Sequence, residues 1–153
     1  MDDQQSPSLP WQQDVKANDI VAFRFPHERE STEQPKVRPT LVLDVLTIGD
    51  ERYALLAFGT SSRRRRARAL LVHVDCAKEL DTASLKAPTL FDGARRILVA
   101  LSHSGFSYGQ TYNTPILGQL SGRSARYGDA VRRSVLQMSS ARRSSLYGRR
   151  PPR

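Results

Sequence analysis

Arg38 and Thr60 are the side chains in this sequence best suited to work on a phosphodiester. Arg38 lies in Glu33-Gln34-Pro35-Lys36-Val37-Arg38-Pro39-Thr40-Leu41-Val42-Leu43, where a polar stretch runs straight into an apolar, strand-like run. The proline biases Arg38 toward extended backbone and fixes its own φ, so the guanidinium fork is mounted at the mouth of a strand rather than on a floppy loop. Such a fork can hold a phosphate through two parallel charge-assisted hydrogen bonds. Thr60 adds a hydroxyl that can bond a phosphate oxygen or a ribose hydroxyl. With a pKa above about 12, an arginine is a poor proton acceptor at neutral pH, so Arg38 suits charge stabilisation and proton transfer falls to another group. The same residues also have a plainer role open to them: an ion pair between Arg38 and Glu33, and a Thr60 that begins a turn.

Directly after Gly59-Thr60-Ser61-Ser62 comes Arg63-Arg64-Arg65-Arg66-Ala67-Arg68, five arginines in six residues. These repel one another unless counter-charges are near, which favours a loop that tracks phosphates or faces an acidic partner over a merely solvated one. The three histidines, His27, His73 and His103, show no two at metal-ligand spacing. Strand positions three apart point to opposite faces, which argues against His73 and Cys76 acting as base and nucleophile. His103 is a minor candidate for proton transfer if its loop folds over the site. Phe106, Tyr108 and Tyr112 can stack on unpaired bases, or simply pack beneath their loop.

The elements that must position these groups are short. Strand patterns run over Ile20 to Phe25, Leu41 to Leu46, Arg52 to Phe58, Ala69 to Val74 and Ile97 to Leu101, with Gly49-Asp50 as the clearest hairpin turn. Close spacing leaves little room for crossover helices, so an antiparallel, strongly bent sheet or small barrel is expected. Lys78 to Leu85 reads as a short helix. A final helix begins after Ser121, with Tyr127, Val131, Val135 and Met138 on one face and Arg126 and Arg133 away from it. Gly128 costs that helix about 1 kcal/mol relative to alanine, so packing must support it. The expected organisation is a flexible segment over 1–14, one domain over 15–138 and a disordered basic tail over 139–153.

At 153 residues and 39% hydrophobic content, one domain with a real core is affordable. The net charge of +9 is lopsided: residues 1–92 carry 13 basic and 14 acidic side chains, whereas residues 93–153 carry 11 and 1. The basic C-terminal surplus suits solubility, nucleic acid or an acidic protein partner. The lone Cys76 rules out an intramolecular disulfide framework and is expected to be a small buried residue in a reducing compartment. The start, Met1-Asp2-Asp3-Gln4-Gln5, is acidic and polar, and no apolar stretch approaches membrane-span length, so a cytoplasmic protein without a membrane partner is expected.

The ordered set of landmarks resembles the MazF/PemK family of toxins from toxin–antitoxin pairs. Glu33, Gln34, Arg38 and Pro39 match its first loop, Asp19-Ile20-Val21 its first strand and Gly59-Thr60-Ser61-Ser62 its Thr-Ser strand end. Phe91-Asp92 with Arg95, then Ile116-Leu117-Gly118-Gln119-Leu120-Ser121, match later positions, so the resemblance spans roughly residues 15 to 138. It implies a mainly β, small SH3-like antiparallel barrel with a C-terminal helix, acting as a homodimer that an acidic antitoxin neutralises. It further implies metal-independent endoribonuclease activity without a cofactor, in which a ribose 2′-hydroxyl of single-stranded RNA attacks the adjacent phosphorus. The implied catalytic residues are Arg38 and Thr60, with Glu33 and Asp92 as carboxylates available for proton transfer. Ser61, Ser62, Arg63, Arg64, Arg65, Arg66, Arg68 and Arg95 are the implied RNA contacts. Some members pair the acid at Asp92 with a nearby arginine and a loop histidine; Leu90 and Thr32 stand there instead, which leaves the base unassigned. A further departure is Asn18 for the family's glycine, harmless if left-handed backbone is what that position needs. The rival expectation is a barrel that binds nucleic acid or protein without cutting, and a third is a purely structural basic domain.

Overall fold

The structure, a computed structural model, describes residues 10–24, 36–60, 70–108 and 113–148, with Pro10 and residues 139–148 described by backbone alone. In chain order the elements are α1 (Pro10–Asp14), β1 (Asp19–Arg24), β2 (Val37–Ile48), β3 (Glu51–Thr60), β4 (Leu71–Val74), α2 (Ala77–Thr82), β5 (Thr89–Ala100), β6 (Ile116–Gln119) and α3 (Gly122–Gly148). The six strands form one antiparallel sheet in the order β4-β5-β3-β2-β1-β6, curled into a half-barrel with the C-terminal helix against it.

Period-two patterning explains why the sheet is covered on both sides. Ile20, Leu41, Leu43, Ala57, Val72, Val74 and Phe91 turn to one face, where Val131 and Val135 of α3 close the core. Val21, Phe23, Val42 and Leu56 turn to the other, which Trp11 of α1 and Phe106 cover. The apolar run at Leu41 is central because β2 is flanked by β1 and β3. Gly49, at φ +64°, makes the tight turn that pairs Ile48 with Glu51, as its sequence signal requires.

Several expectations change here. The segment before residue 15 contributes α1, whose Trp11 is buried and whose indole N–H donates to the Tyr108 hydroxyl at 2.6 Å. The strand β6 escaped the sequence patterns because four residues with a central glycine carry little periodicity. On α3 the buried positions are Ser124, Gly128, Val131 and Val135, while Tyr127 and Met138 are exposed. The inner face starts with small residues because the chain before β1 approaches there: Asn18, at φ +76°, donates its side-chain amide to Asp129 Oδ1 at 2.8 Å. Asn18 thus adopts the left-handed backbone for which a glycine would serve. Backbone helix also continues through the basic segment after Ser139 to Gly148. A helix already nucleated by packing extends through Arg, Ala and Leu without needing a core stripe of its own.

Candidate functional site

The mouth of β2 is built as its sequence suggests, and then reinforced. Val37, Arg38 and Pro39 are exposed, and buried Thr40 donates its hydroxyl to the Arg38 carbonyl at 3.1 Å. Pro39 lies opposite Ala22 without harming the ladder, because Ala22 N–H donates to Pro115 O and Ala22 O accepts from Ser107 N–H. Arg38 is therefore held by a rigid proline on one side and a tethered carbonyl on the other. Thr40 fixes the backbone at Arg38, although in the sequence it is only a β-branched residue beginning an apolar run.

Strand register brings Arg38 toward Thr60. The pairs Thr40 with Phe58, Leu41 with Ala57 and Val42 with Leu56 share one register, and the β2–β3 ladder ends at Thr40 and Phe58, so Arg38 and Thr60 each lie two residues beyond its last pair, at the ends of adjacent strands. Gly59 lets the two strand ends lie close: a Cβ built there would lie 3.0 Å from the Pro39 carbonyl oxygen and 2.8 Å from the Phe91 ring. Phe23 faces Arg38 across β1 and β2, and Thr60, Leu90 and His73 form one row across β3, β5 and β4. The adjacent row on the same face reads Val21, Thr40, Phe58, Asp92, Leu71.

Asp92 is buried beside this row, and its Oδ1 accepts the Ala94 N–H at 2.9 Å. Between Asp92 and Arg96 the chain bulges, leaving Gly93, Ala94 and Arg95 unpaired with β3. The bulge carries the Arg95 guanidinium over the Phe58 ring, 5.2 Å from its centroid. Arg38, Thr60, Asp92 and Arg95 thus lie toward the ends of β2, β3 and β5, and Phe106 and Trp11 pack beside Phe23, the partner of Arg38. Glu33, Thr32, His27, Tyr112 and the run Ser61, Ser62, Arg63, Arg64, Arg65, Arg66, Arg68 lie outside the described residues.

The other candidates sort by their contacts. His103 packs 5.3 Å from the Phe23 ring, and its Nδ1 accepts the Gly105 N–H at 2.8 Å. That hydrogen bond occupies one ring nitrogen within a turn. Phe106 is core, 4.9 Å from Phe23 and 5.0 Å from Trp11, whereas Tyr108 keeps an exposed ring. Cys76 is exposed rather than buried, because β4 ends at Val74 and Cys76 is the residue preceding the first turn of α2. For the same reason strand alternation does not separate it from His73, and both line a cleft with residues of α2 and α3. At the foot of that cleft Glu79 Oε1 accepts the Ser124 N–H at 2.9 Å. The hydrogen bonds from Ser124, with help from Arg123, hold the Glu79 carboxyl below its ordinary value. Among the described residues no group of three or more His, Cys, Asp and Glu side chains could hold a metal ion, and no helix is long and apolar enough to cross a membrane.

Comparison with protein-family models and with curated proteins finds no match for this chain.

Proposed function

We propose that the protein is an endoribonuclease of the MazF/PemK type, an SH3-like barrel that cuts single-stranded RNA in the cytoplasm without a metal and so arrests translation and growth. The observation that carries this is the placement of Arg38 and Thr60 at the ends of two adjacent central strands, near Asp92 and Arg95. In the proposed reaction the ribose 2′-oxygen forms a bond to phosphorus and the bond to the 5′-oxygen breaks, leaving a cyclic phosphate and a 5′-hydroxyl end. Arg38 donates to the non-bridging oxygens as negative charge builds there, and Thr60 holds either one of them or the attacking ribose. The 2′-proton passes to a carboxylate, Asp92 or Glu33, and a proton from solvent restores the departing 5′-oxygen. Arg95 and the arginine run after Ser62 would hold the flanking phosphates. The expected assembly is a homodimer whose basic groove an acidic antitoxin segment fills.

The test is incubation of the full chain with single-stranded RNA in the presence of chelator, with end analysis of the products. Cyclic phosphate and 5′-hydroxyl ends are expected, and Arg38→Ala should slow their formation by on the order of 10²-fold or more. Intact RNA across a broad set of sequences would sink the enzyme. Leu90, apolar and half-buried directly across from Thr60, favours the second reading, a barrel that binds RNA without cutting. Saturable RNA binding with no new ends would establish it.

A further inference from the structure

Since β4 is an edge of the sheet, a residue on the Thr60 face of that strand also borders the helices covering the opposite face. There the structure opens a cleft of about 540 Å³ between β4, the start of α2 and the first turns of α3. That volume is typical of small-molecule sites. Its wall holds the Asp75 carboxylate, the Arg126 guanidinium, the His73 imidazole and the Tyr127 phenol. Asp75, His73 and Arg126 are exposed and Tyr127 is 40% exposed. Among the described residues none of the four takes part in a hydrogen bond or ion pair, whereas Glu79 is committed to the start of α3.

The mixture of groups narrows the ligand. A simple anion drawn to Arg126 would also meet the Asp75 and Glu79 carboxylates, and a cation would meet the guanidiniums. A planar group with donors and acceptors along its edge, and π faces above and below, satisfies both signs. An unpaired nucleobase is such a group. Guanine is the best match: its adjacent N1 and N2 hydrogens suit the two oxygens of one carboxylate, and its O6 and N7 suit an arginine fork. Tyr127 and His73 supply the stacking surfaces. The cleft is also within reach of the strand, because His73 stands two strand spacings, about 10 Å, from Thr60 in the same row.

We infer that this cleft is a base-recognition subsite that takes an unpaired guanine of single-stranded RNA, one or two nucleotides from the phosphate held at Arg38 and Thr60. The inference rests on the nuclease reading for the presence of the strand, and on the cleft's own chemistry for the choice of base. The experiment is titration of the full chain with 5′-GMP, 5′-AMP, 5′-CMP and 5′-UMP, followed through the imidazole resonance that disappears in His73→Gln. GMP should shift that resonance saturably and bind at least about ten-fold more tightly than the other three. Asp75→Asn and Arg126→Gln should each weaken GMP by roughly 5- to 150-fold, at unchanged melting temperature because both side chains are exposed. An equal response to all four nucleotides, or none at His73 with millimolar GMP, overturns the subsite. A GMP preference in a protein that leaves RNA intact supports the subsite and refutes the nuclease. RNA cleavage at sites indifferent to guanine, with a flat titration, refutes the subsite and leaves the nuclease standing.

Discussion

Alanine at position 128 should destabilise the protein, although the helix by itself would favour it. In a helix interior the change from glycine contributes about 0.8 to 1.0 kcal/mol in favour of the helix. Gly128, however, lies on the buried side of α3, and a Cβ built there falls 2.8 Å from Leu120 Cδ1 and closer still to the Asn18 amide oxygen. Both neighbours are side-chain ends that can yield, so the cost is what they lose in yielding. The Asn18 amide would give up its donation to Asp129 Oδ1 at 2.8 Å, and the weaker one to Ala125 O at 3.4 Å. Each such hydrogen bond is worth about 0.5 to 1.5 kcal/mol, and crowding Leu120 adds about 1 to 3 kcal/mol. Set against the helix gain, the net loss is about 1 to 5 kcal/mol. Urea unfolding followed by the fluorescence of Trp11, the single tryptophan, should show a lower midpoint at an unchanged slope. In an Asn18→Gly background, which keeps the left-handed backbone and removes the amide with both its hydrogen bonds, the same substitution should cost about 1 to 3 kcal/mol less. A midpoint for Gly128→Ala at or above that of the parent refutes the close approach of the two segments.

Two further outcomes follow from the site and its support. Gly59→Ala should cost about 1 to 3 kcal/mol, since its Cβ would press on the buried Phe91 ring and on the Pro39 backbone, neither of which swings aside cheaply. Under the nuclease reading it should also slow RNA cleavage below the melting temperature by spreading Arg38 from Thr60; parent-like stability would refute the spacing. For Glu79 the folded-state pKa lies below the ordinary value of 4.5, so its stabilisation is present in full above that value and is lost as pH falls through the folded pKa. Glu79→Gln should therefore flatten the fall in urea midpoint between about pH 6 and pH 3, and matching acid limbs in the two proteins would dismiss the cap.

Much of the sheet was legible because burial on alternate sides leaves a period of two in the sequence. Leu41 to Leu46 reads as a central strand and lies in one, and Gly49-Asp50 reads as a hairpin turn and makes one. Strand ends were less legible: β5 begins eight residues before its apolar run, because the bulge at Gly93 to Arg95 breaks the alternation. On α3 the apolar spacing located the lower half of the buried face through Val131 and Val135. It missed the upper half because Ser124 and Gly128 are buried for their small size, not for hydrophobicity. Cys76 was misjudged for a related reason, since its exposure depends on β4 stopping two residues earlier.

By itself the sequence determined the local properties: which runs extend, where the β2–β3 hairpin turns, that Arg38 is mounted stiffly before Pro39, and that positive charge gathers toward the C-terminus. Each follows from φ restriction, side-chain periodicity or composition, which act over a few residues. Only the tertiary structure decided which groups meet. Arg38 and Thr60 are 22 positions apart in the sequence, and the pairing of β2 with β3, with Gly59 close against the Pro39 carbonyl, sets them at the ends of adjacent strands. The cleft at β4 joins His73 and Asp75 to Arg126 and Tyr127 because α3 packs back across the sheet edge. Register and close approach are set by long-range packing, where one absent Cβ matters as much as a run of apolar residues, and no local pattern encodes that distance.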